Sequence, residues 1–330
     1  LFCNFHDLVL FFYDFDILCL IVHEHFGEDM KIFLWLFGLL LSSPLCVLAA
    51  SYNLYIAAGT HTINGAGGTT INVWGYTDNL NTGPMVPGPG LDSQEGESVT
   101  VTVYNADSRP HNFVVQGVTT DTGSIVAGGS KIYTFKTPKA GVYLYSDTLN
   151  SNVNREMGLY GAFVVHAAGG AKVAWTGGPK FDFERVWVTS DMDKPRWNDL
   201  ASKGSSVNTS VYRPNYFMMN GMGGHDAMRD SNTTLAGKAG QYGLARVVNA
   251  GLLDESLHFH GNHLQIIDVN GTRQTPEWVD TINVKAGQTM MVLYQIKYAG
   301  QVFPMHVHTA QMETSGGVYL NGVATLIVGQ

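Results

Sequence analysis

Leu257-His258-Phe259-His260-Gly261-Asn262-His263 and Pro304-Met305-His306-Val307-His308 each hold two histidines separated by a single residue. On a β-strand that spacing sends both imidazoles to one face and the intervening Phe259 or Val307 to the other. Two such strands lying side by side offer four imidazoles to one point, a donor set suited to copper or zinc. The alternative is a group of solvated or core histidines that hold nothing. A lone histidine favours that alternative; two His-X-His pairs within one half of the chain favour metal.

The surrounding sequence is also strand-like. Ser98-Val99-Thr100-Val101-Thr102-Val103 alternates polar and apolar residues, as a half-buried strand does. Further strands are expected at Tyr52–Ala58, Thr70–Gly75, Phe113–Val115, Lys131–Phe135, Val142–Tyr145 and Gly161–Val165. The second half repeats the theme at Arg185–Thr189, Gly243–Val248, His258–Ile267, Thr289–Ile296, Phe303–His308 and Val323–Val328. Helical periodicity is confined to a short segment at Met192–Leu200. The two halves read as copies of one unit. Asn105 precedes Gly117 by the same interval as Asn249 precedes Gly261, which aligns Val114 with His258 and Gln116 with His260. Gly141-Val142-Tyr143-Leu144-Tyr145-Ser146 parallels Gly300 to His306 with one extra residue, so Ser146 and Thr148 fall where His306 and His308 stand. Residues 51–168 and 185–330 are thus expected as two domains, with the small, glycine-rich 169–184 between them.

Composition agrees with a turn-rich β protein: charged residues make up 14% of the 330 and glycine numbers 38. The formal net charge is −8. The first fifty residues hold six of the acids and one base, and the remainder has 21 acids against 18 bases. No basic run or aromatic–basic interleaving suggests a nucleic-acid partner. Residues 30–50 read as a secretory signal, with Lys31 ahead of the apolar Ile32–Leu41 and a small-residue cleavage site at Val47-Leu48-Ala49-Ala50. The apolar run is short for a membrane anchor and ends at Ser42-Ser43-Pro44. Residues 1–29 lack methionine and read as upstream translated sequence or a disordered extension. An extracytoplasmic protein without a membrane span is the expectation. Cys3, Cys19 and Cys46 all precede the cleavage site. The mature chain would then have neither a disulfide nor a thiolate ligand.

These residues resemble the multicopper oxidase family, laccase-like proteins built from cupredoxin domains. Pro87-Gly88-Pro89 with Glu95-Gly96-Glu97, Gly141–Tyr145 leading to Gly158–Ala162, and Pro214-Asn215-Tyr216-Phe217 are similar to family segments. Leu257-His258-Phe259-His260-Gly261 and Met305-His306-Val307-His308 are similar to its C-terminal copper signatures. The resemblance implies an all-β chain of two cupredoxin-like Greek-key β-sandwich domains in tandem, with copper as cofactor. In such proteins a mononuclear blue copper passes electrons to a trinuclear cluster held by eight histidines, which reduces dioxygen. His258 would be a type 2 ligand, and His260, His306 and His308 type 3 ligands. Two-domain relatives often form trimers.

The departures narrow these expectations. Val114, Gln116, Ser146 and Thr148 stand where the first domain would supply four histidines, and none is a comparable copper ligand. The blue-copper cysteine is replaced by Val307, and its partners by Glu255, Met312 and Gly317. A conventional four-copper oxidase is not expected. A histidine-only site of His258, His260, His306 and His308 is. His263, Met312 and His111 are weaker candidates, His111 reading better as a hydrogen-bonding residue. The Met218–Met228 stretch suits gap-filling better than copper(I). Three functions stay open: an oxidoreductase acting on a small molecule, dioxygen or a peroxide; a non-catalytic copper-binding protein; and a metal-free binding module.

Overall fold

The computed structural model describes residues 50–64 and 68–330. The expected extension 1–29, the signal segment up to Ala49 and all three cysteines lie outside the described residues. The first sandwich contains β1 (Ala50–Ile63), β2 (Thr69–Thr77), β3 (Leu91–Gln94), β4 (Ser98–Asn105), β5 (Val114–Val115), β6 (Ser130–Lys136), β7 (Gly141–Ser146) and β8 (Tyr160–His166). These form two four-stranded sheets, β2-β1-β4-β6 and β3-β8-β7-β5. The second contains β9 (Phe183–Met192), β10 (Tyr216–Met219), β11 (Leu235–Gly237), β12 (Tyr242–Asn249), β13 (Glu255–Phe259), β14 (Leu264–Val269), β15 (Thr272–Val279), β16 (Thr281–Val284), β17 (Thr289–Gln295) and β18 (Val302–Val307). It ends with β19 (Thr314–Ser315), β20 (Val318–Tyr319) and β21 (Ala324–Gly329). Its sheets run β10-β9-β12-β17-β14-β15 and β11-β21-β18-β13-β16, beside the small pair β19-β20. The architecture is all-β, as the alternation of residues dictates.

Alternation sets the inner faces. Val99, Val101 and Val103 of β4 are fully buried, while the intervening threonines are partly exposed. Leu257 and Phe259 of β13 and Met305 and Val307 of β18 enter the core of the second sandwich. Each such burial contributes about 1.5–3 kcal/mol. A third apolar cluster joins the sandwiches: Val142, Leu144, Ala162 and Val164 pack with Val188, Leu244, Val248, Met291 and Leu293.

The repeat is visible in the hydrogen bonds. Asn105 donates through Nδ2 to the carbonyls of Arg109 and Ile125, and its Oδ1 accepts from the Asp107 amide. Asn249 does the same with Leu253, Val284 and the Gly251 amide. Pairing register agrees too: Val114 lies opposite Ser146 as His258 lies opposite His306.

Two expectations need correction. His258–Ile267 is not one strand but two, β13 and β14, in opposite sheets. Gly261 between them has φ +86°, a left-handed conformation that glycine adopts without steric cost. The edge and corner strands β10, β11, β15 and β16 carry too little alternation to have been expected. The short helical segments Lys194–Asn198 and Asp199–Ala201 coincide with the expected Met192–Leu200 and run one residue past it. Among the described residues no helix is long and apolar enough to cross a membrane.

Candidate metal centre

Strands β13 and β18 are antiparallel neighbours in the middle of their sheet, with His258 directly opposite His306. Just beyond the strand ends, the His260 amide donates to the Pro304 carbonyl and the His308 amide to the Ser256 carbonyl. This register puts Ser256, His258 and His260 on the same outer face as Pro304, His306 and His308, because side chains alternate. Inward pull on Leu257, Phe259, Met305 and Val307 therefore fixes all four imidazoles outward.

The rings form one patch. Their centroids lie 4.4 Å apart for His258 and His308, 4.5 Å for His258 and His260, 5.1 Å for His306 and His308, and 5.3 Å for His260 and His306. The Nε2 atoms of His260 and His306 are 3.2 Å apart. With metal–imidazole bonds of about 2.0 Å, two donors at that separation subtend a near-tetrahedral angle at a shared ion. Among the described residues, no group of three or more His, Cys, Asp or Glu side chains already converges to hold an ion. His260 and His306 are the convergent pair, and His258 and His308 flank it.

The other ring nitrogens are anchored. His258 Nδ1 bonds the Thr281 hydroxyl at 2.9 Å and lies 4.0 Å from Asp280; His306 Nδ1 lies 3.1 Å from the Val307 carbonyl and 3.9 Å from Glu313. Holding Nδ1 orients the ring and leaves Nε2 as the donor. The pKa of His258 is lowered first by partial burial, then by the charge its neighbours His308 and His306 would carry, against the pull of Asp280. Partial burial likewise lowers His260, followed by His258, His306 and His308. Both effects favour neutral imidazole, the ligating form. The donor set and its protonation fit copper.

The weaker candidates lie elsewhere or contribute differently. Met312 is fully buried in the core of the second sandwich and does not reach the imidazole face. His111 is fully buried in the first sandwich, with Nδ1 2.8 Å from Asp147 and Nε2 2.9 Å from Asp107. Carboxylates occupy both of its nitrogens, so it has no free lone pair for a metal. His263 is exposed past the strand end; Asp280 is lowered first by the Thr281 hydroxyl, with His258 and then His263 adding less. Glu255 is on the inner face with Leu257, buried and remote from the imidazoles' open side. The carboxylates that do attend the patch are Asp280 and Glu313. Thr281 and Asp280 were invisible in the sequence because β16 was.

Residues 184–328 match one multicopper oxidase family model and residues 58–169 match another. Among solved structures, a blue copper oxidase from Nitrosomonas europaea superposes with a TM-score of 0.72 at 21% identity, over 85% of this chain and 86% of that one. The multicopper oxidase mgLAC gives 0.71 at 23% identity, over 86% of each chain. A copper nitrite reductase from Nitrosomonas europaea gives 0.66 at 19% identity, over 86% of this chain and 94% of that one. At these identities the likeness to solved structures carries the fold alone, a tandem of cupredoxin-like sandwiches. No curated protein sequence matches. The two matched segments together take in more than three quarters of the residues, and the chain belongs to the multicopper oxidase family, whose cofactor is copper.

Proposed function

We propose that this chain is an exported copper protein whose metal is held by His258, His260, His306 and His308 alone, without a type 1 copper. The observation that carries this is the cross-strand register of the two His-X-His pairs, with Nε2 of His260 and His306 3.2 Å apart. His258 and His308 complete the set by small ring rotations from 4.4 to 5.3 Å centroid spacings. Export follows from the signal-like residues 30–50.

The absence of a blue site is supported by the residues at its positions. Val307 and Met312 are fully buried in the apolar core, Glu255 is buried beside them in the strand pair, and Gly317 carries no donor. Bound copper supplies one-electron chemistry and an open coordination position. Around it this chain provides the imidazoles, the Thr281 and Val307 contacts that orient them, and Asp280 and Glu313 as nearby proton acceptors. The activity proposed is oxidoreduction of a small molecule, dioxygen or a peroxide at the half-exposed sheet face. A non-catalytic copper-binding role is the second reading, favoured by the lack of a preorganised three-donor group among the described residues.

The same face supports a homotrimer. In the first sandwich the outer face of β3-β8-β7-β5 is covered by the second. Among the described residues no sheet covers the equivalent face of β11-β21-β18-β13-β16.

The deciding experiment is metal content and spectrum after copper loading of the chain from Ser51. About one copper per chain without an intense blue band is expected for such a site. Loss of that copper in His258→Ala/His306→Ala places it at the patch. No bound copper would end both copper readings, and an intense blue band would end the thiolate-free one. Turnover that vanishes in His306→Ala separates the oxidoreductase from the copper-binding protein.

A further inference from the structure

The helix Val153–Glu156 of the first sandwich presses two consecutive charged residues against the second. Glu156 Oε1 accepts from the Asp193 amide at 2.9 Å, and Arg155 Nη2 donates to the Gly251 carbonyl at 3.3 Å. The remaining polar atoms there are poorly served. Glu156 Oε2 and Arg155 Nε are buried without a hydrogen-bond partner. Buried polar atoms of this kind are rare, and two in one place mark a junction held by something other than a complete hydrogen-bond network.

The charges show what holds it. Asp191 accepts from the Tyr212 hydroxyl and from the amides of Leu252 and Leu253. Asp193 accepts from Arg196 at 3.0 Å and from the Arg213 amide at 2.7 Å. Both acids neighbour Glu156, and burial raises the pKa of Asp191 in spite of its donors. Arg155 offsets Asp191 and Arg196 offsets Asp193. Lys194 is engaged with Asp199, and Asp147, behind the helix, is held by His111 and Asn154. Tyr160 and Tyr212 complete the titratable surroundings, together with Glu255 beyond Asp191. Each of these cations is already engaged by another acid.

We propose that Arg155 and Glu156 form a pH-sensitive clasp between the two sandwiches, closed while Glu156 is a neutral acid and loosened when it ionises. Neutral Glu156 sits beside Asp191 and Asp193 without repulsion. An ionised Glu156 adds negative charge beside two buried acids, and its unpartnered oxygen then demands solvation. Burial raises its pKa well above the usual carboxylate value, and Asp191 and Asp193 add to the effect. The clasp is therefore fully closed in acid and weakens as pH rises through the raised value. The apolar contacts between the sandwiches do not titrate, so the response is local opening rather than separation.

The test is hydrogen exchange at the Asp193 amide from pH 5 to pH 9, corrected for the intrinsic pH dependence of exchange. Protection should fall with rising pH between the ordinary carboxylate value and the raised one, by up to about tenfold for each unit, and level off above it. In Glu156→Gln it should become independent of pH. Unchanged protection in the wild-type chain, or an equal fall in Glu156→Gln, overturns the proposal. Should Glu156→Gln not fold, Asp193→Asn decides: loss of that neighbouring charge should move the midpoint to lower pH, and an unmoved midpoint overturns the clasp.

Discussion

His258 and His306 face each other with Nδ1 tied to the scaffold, which leaves Nε2 of each as the donor in the proposed copper site. Removing the Thr281 hydroxyl should free the His258 ring, and Thr281→Val is expected to lower copper affinity by about 10- to 100-fold in competition titrations. Unchanged affinity would mean that His258 is not a ligand. Protons compete for the same nitrogens. Because the pKa values of His258 and His260 are lowered, the neutral, metal-ready form persists to lower pH than in a free imidazole, and copper should be released only below about pH 6.5. Release already at a pH where free imidazole is neutral would argue for other ligands. Glu255 makes a different residue-scale prediction. Its carboxyl is fully buried with neither oxygen hydrogen-bonded, and burial, reinforced by Asp191, raises its pKa to about 8 despite the nearby Thr189 hydroxyl. The folded protein therefore binds a proton that the unfolded chain gives up. Its contribution is intact below the ordinary value of 4.5 and lost as pH rises to about 8, at about 1.4 kcal/mol for each pH unit between. Glu255→Gln should flatten the fall in thermal stability between pH 5 and pH 8; an unchanged slope would sink this reading. The imidazole quartet was legible in sequence because alternation is local. The environment of Glu255 was not, since it depends on β9, more than sixty residues away.

Gly261 decides how β13 hands over to β14. With φ +86° it turns the chain out of one sheet and into the other, and a methyl added there would lie 2.6 Å from Phe303 Cδ2. Both effects act on Gly261→Ala, which should destabilise by about 1–3 kcal/mol and displace His260, one residue earlier. Denaturant unfolding and copper affinity should therefore change together. Stability that fell while affinity held would show that His260 is placed by the His260–Pro304 amide contact alone. The sequence His260-Gly261-Asn262-His263 carried this corner, yet it reads as one strand, since the alternation of Leu257 to His260 resumes in the apolar residues from Leu264. A left-handed glycine is revealed only by the side chain packed against it. The longer strands were legible for the opposite reason: β4 shows its buried face in six consecutive residues. Strand β15, exposed on both faces and carrying Pro276, shows none.

The two sandwiches share one topology, and the difference in what covers them defines the whole molecule. Strands β3-β8-β7-β5 present Val142, Leu144, Ala162 and Val164 outward, and the second sandwich buries them. By strand order, β11-β21-β18-β13-β16 is the same sheet in the second copy. Register places Val302, Pro304, Leu326 and Val328 on its outer face beside the histidines, and Val302 is 56% exposed. An antiparallel sheet face open to water should be polar, and this one is apolar next to four imidazoles. The internal repeat says what should cover it. If each second sandwich receives its neighbour's first sandwich as each first sandwich receives the second, the contact is head-to-tail and closes into a ring. The receiving face is the outer side of β2-β1-β4-β6, where Tyr55 stacks on Tyr104 at 5.0 Å and Ile132 is exposed. Three chains complete the proposed ring. Sedimentation equilibrium should then give the mass of a trimer for the wild-type chain and of a monomer for Val302→Asp, with the fold unchanged by circular dichroism. Ile132→Asp, on the other partner face, should do the same. Loss of the trimer in one variant but not the other would exclude this head-to-tail pairing. A wild-type monomer at micromolar concentration would leave the imidazole patch open to solvent, and with it the direct access that a small substrate needs.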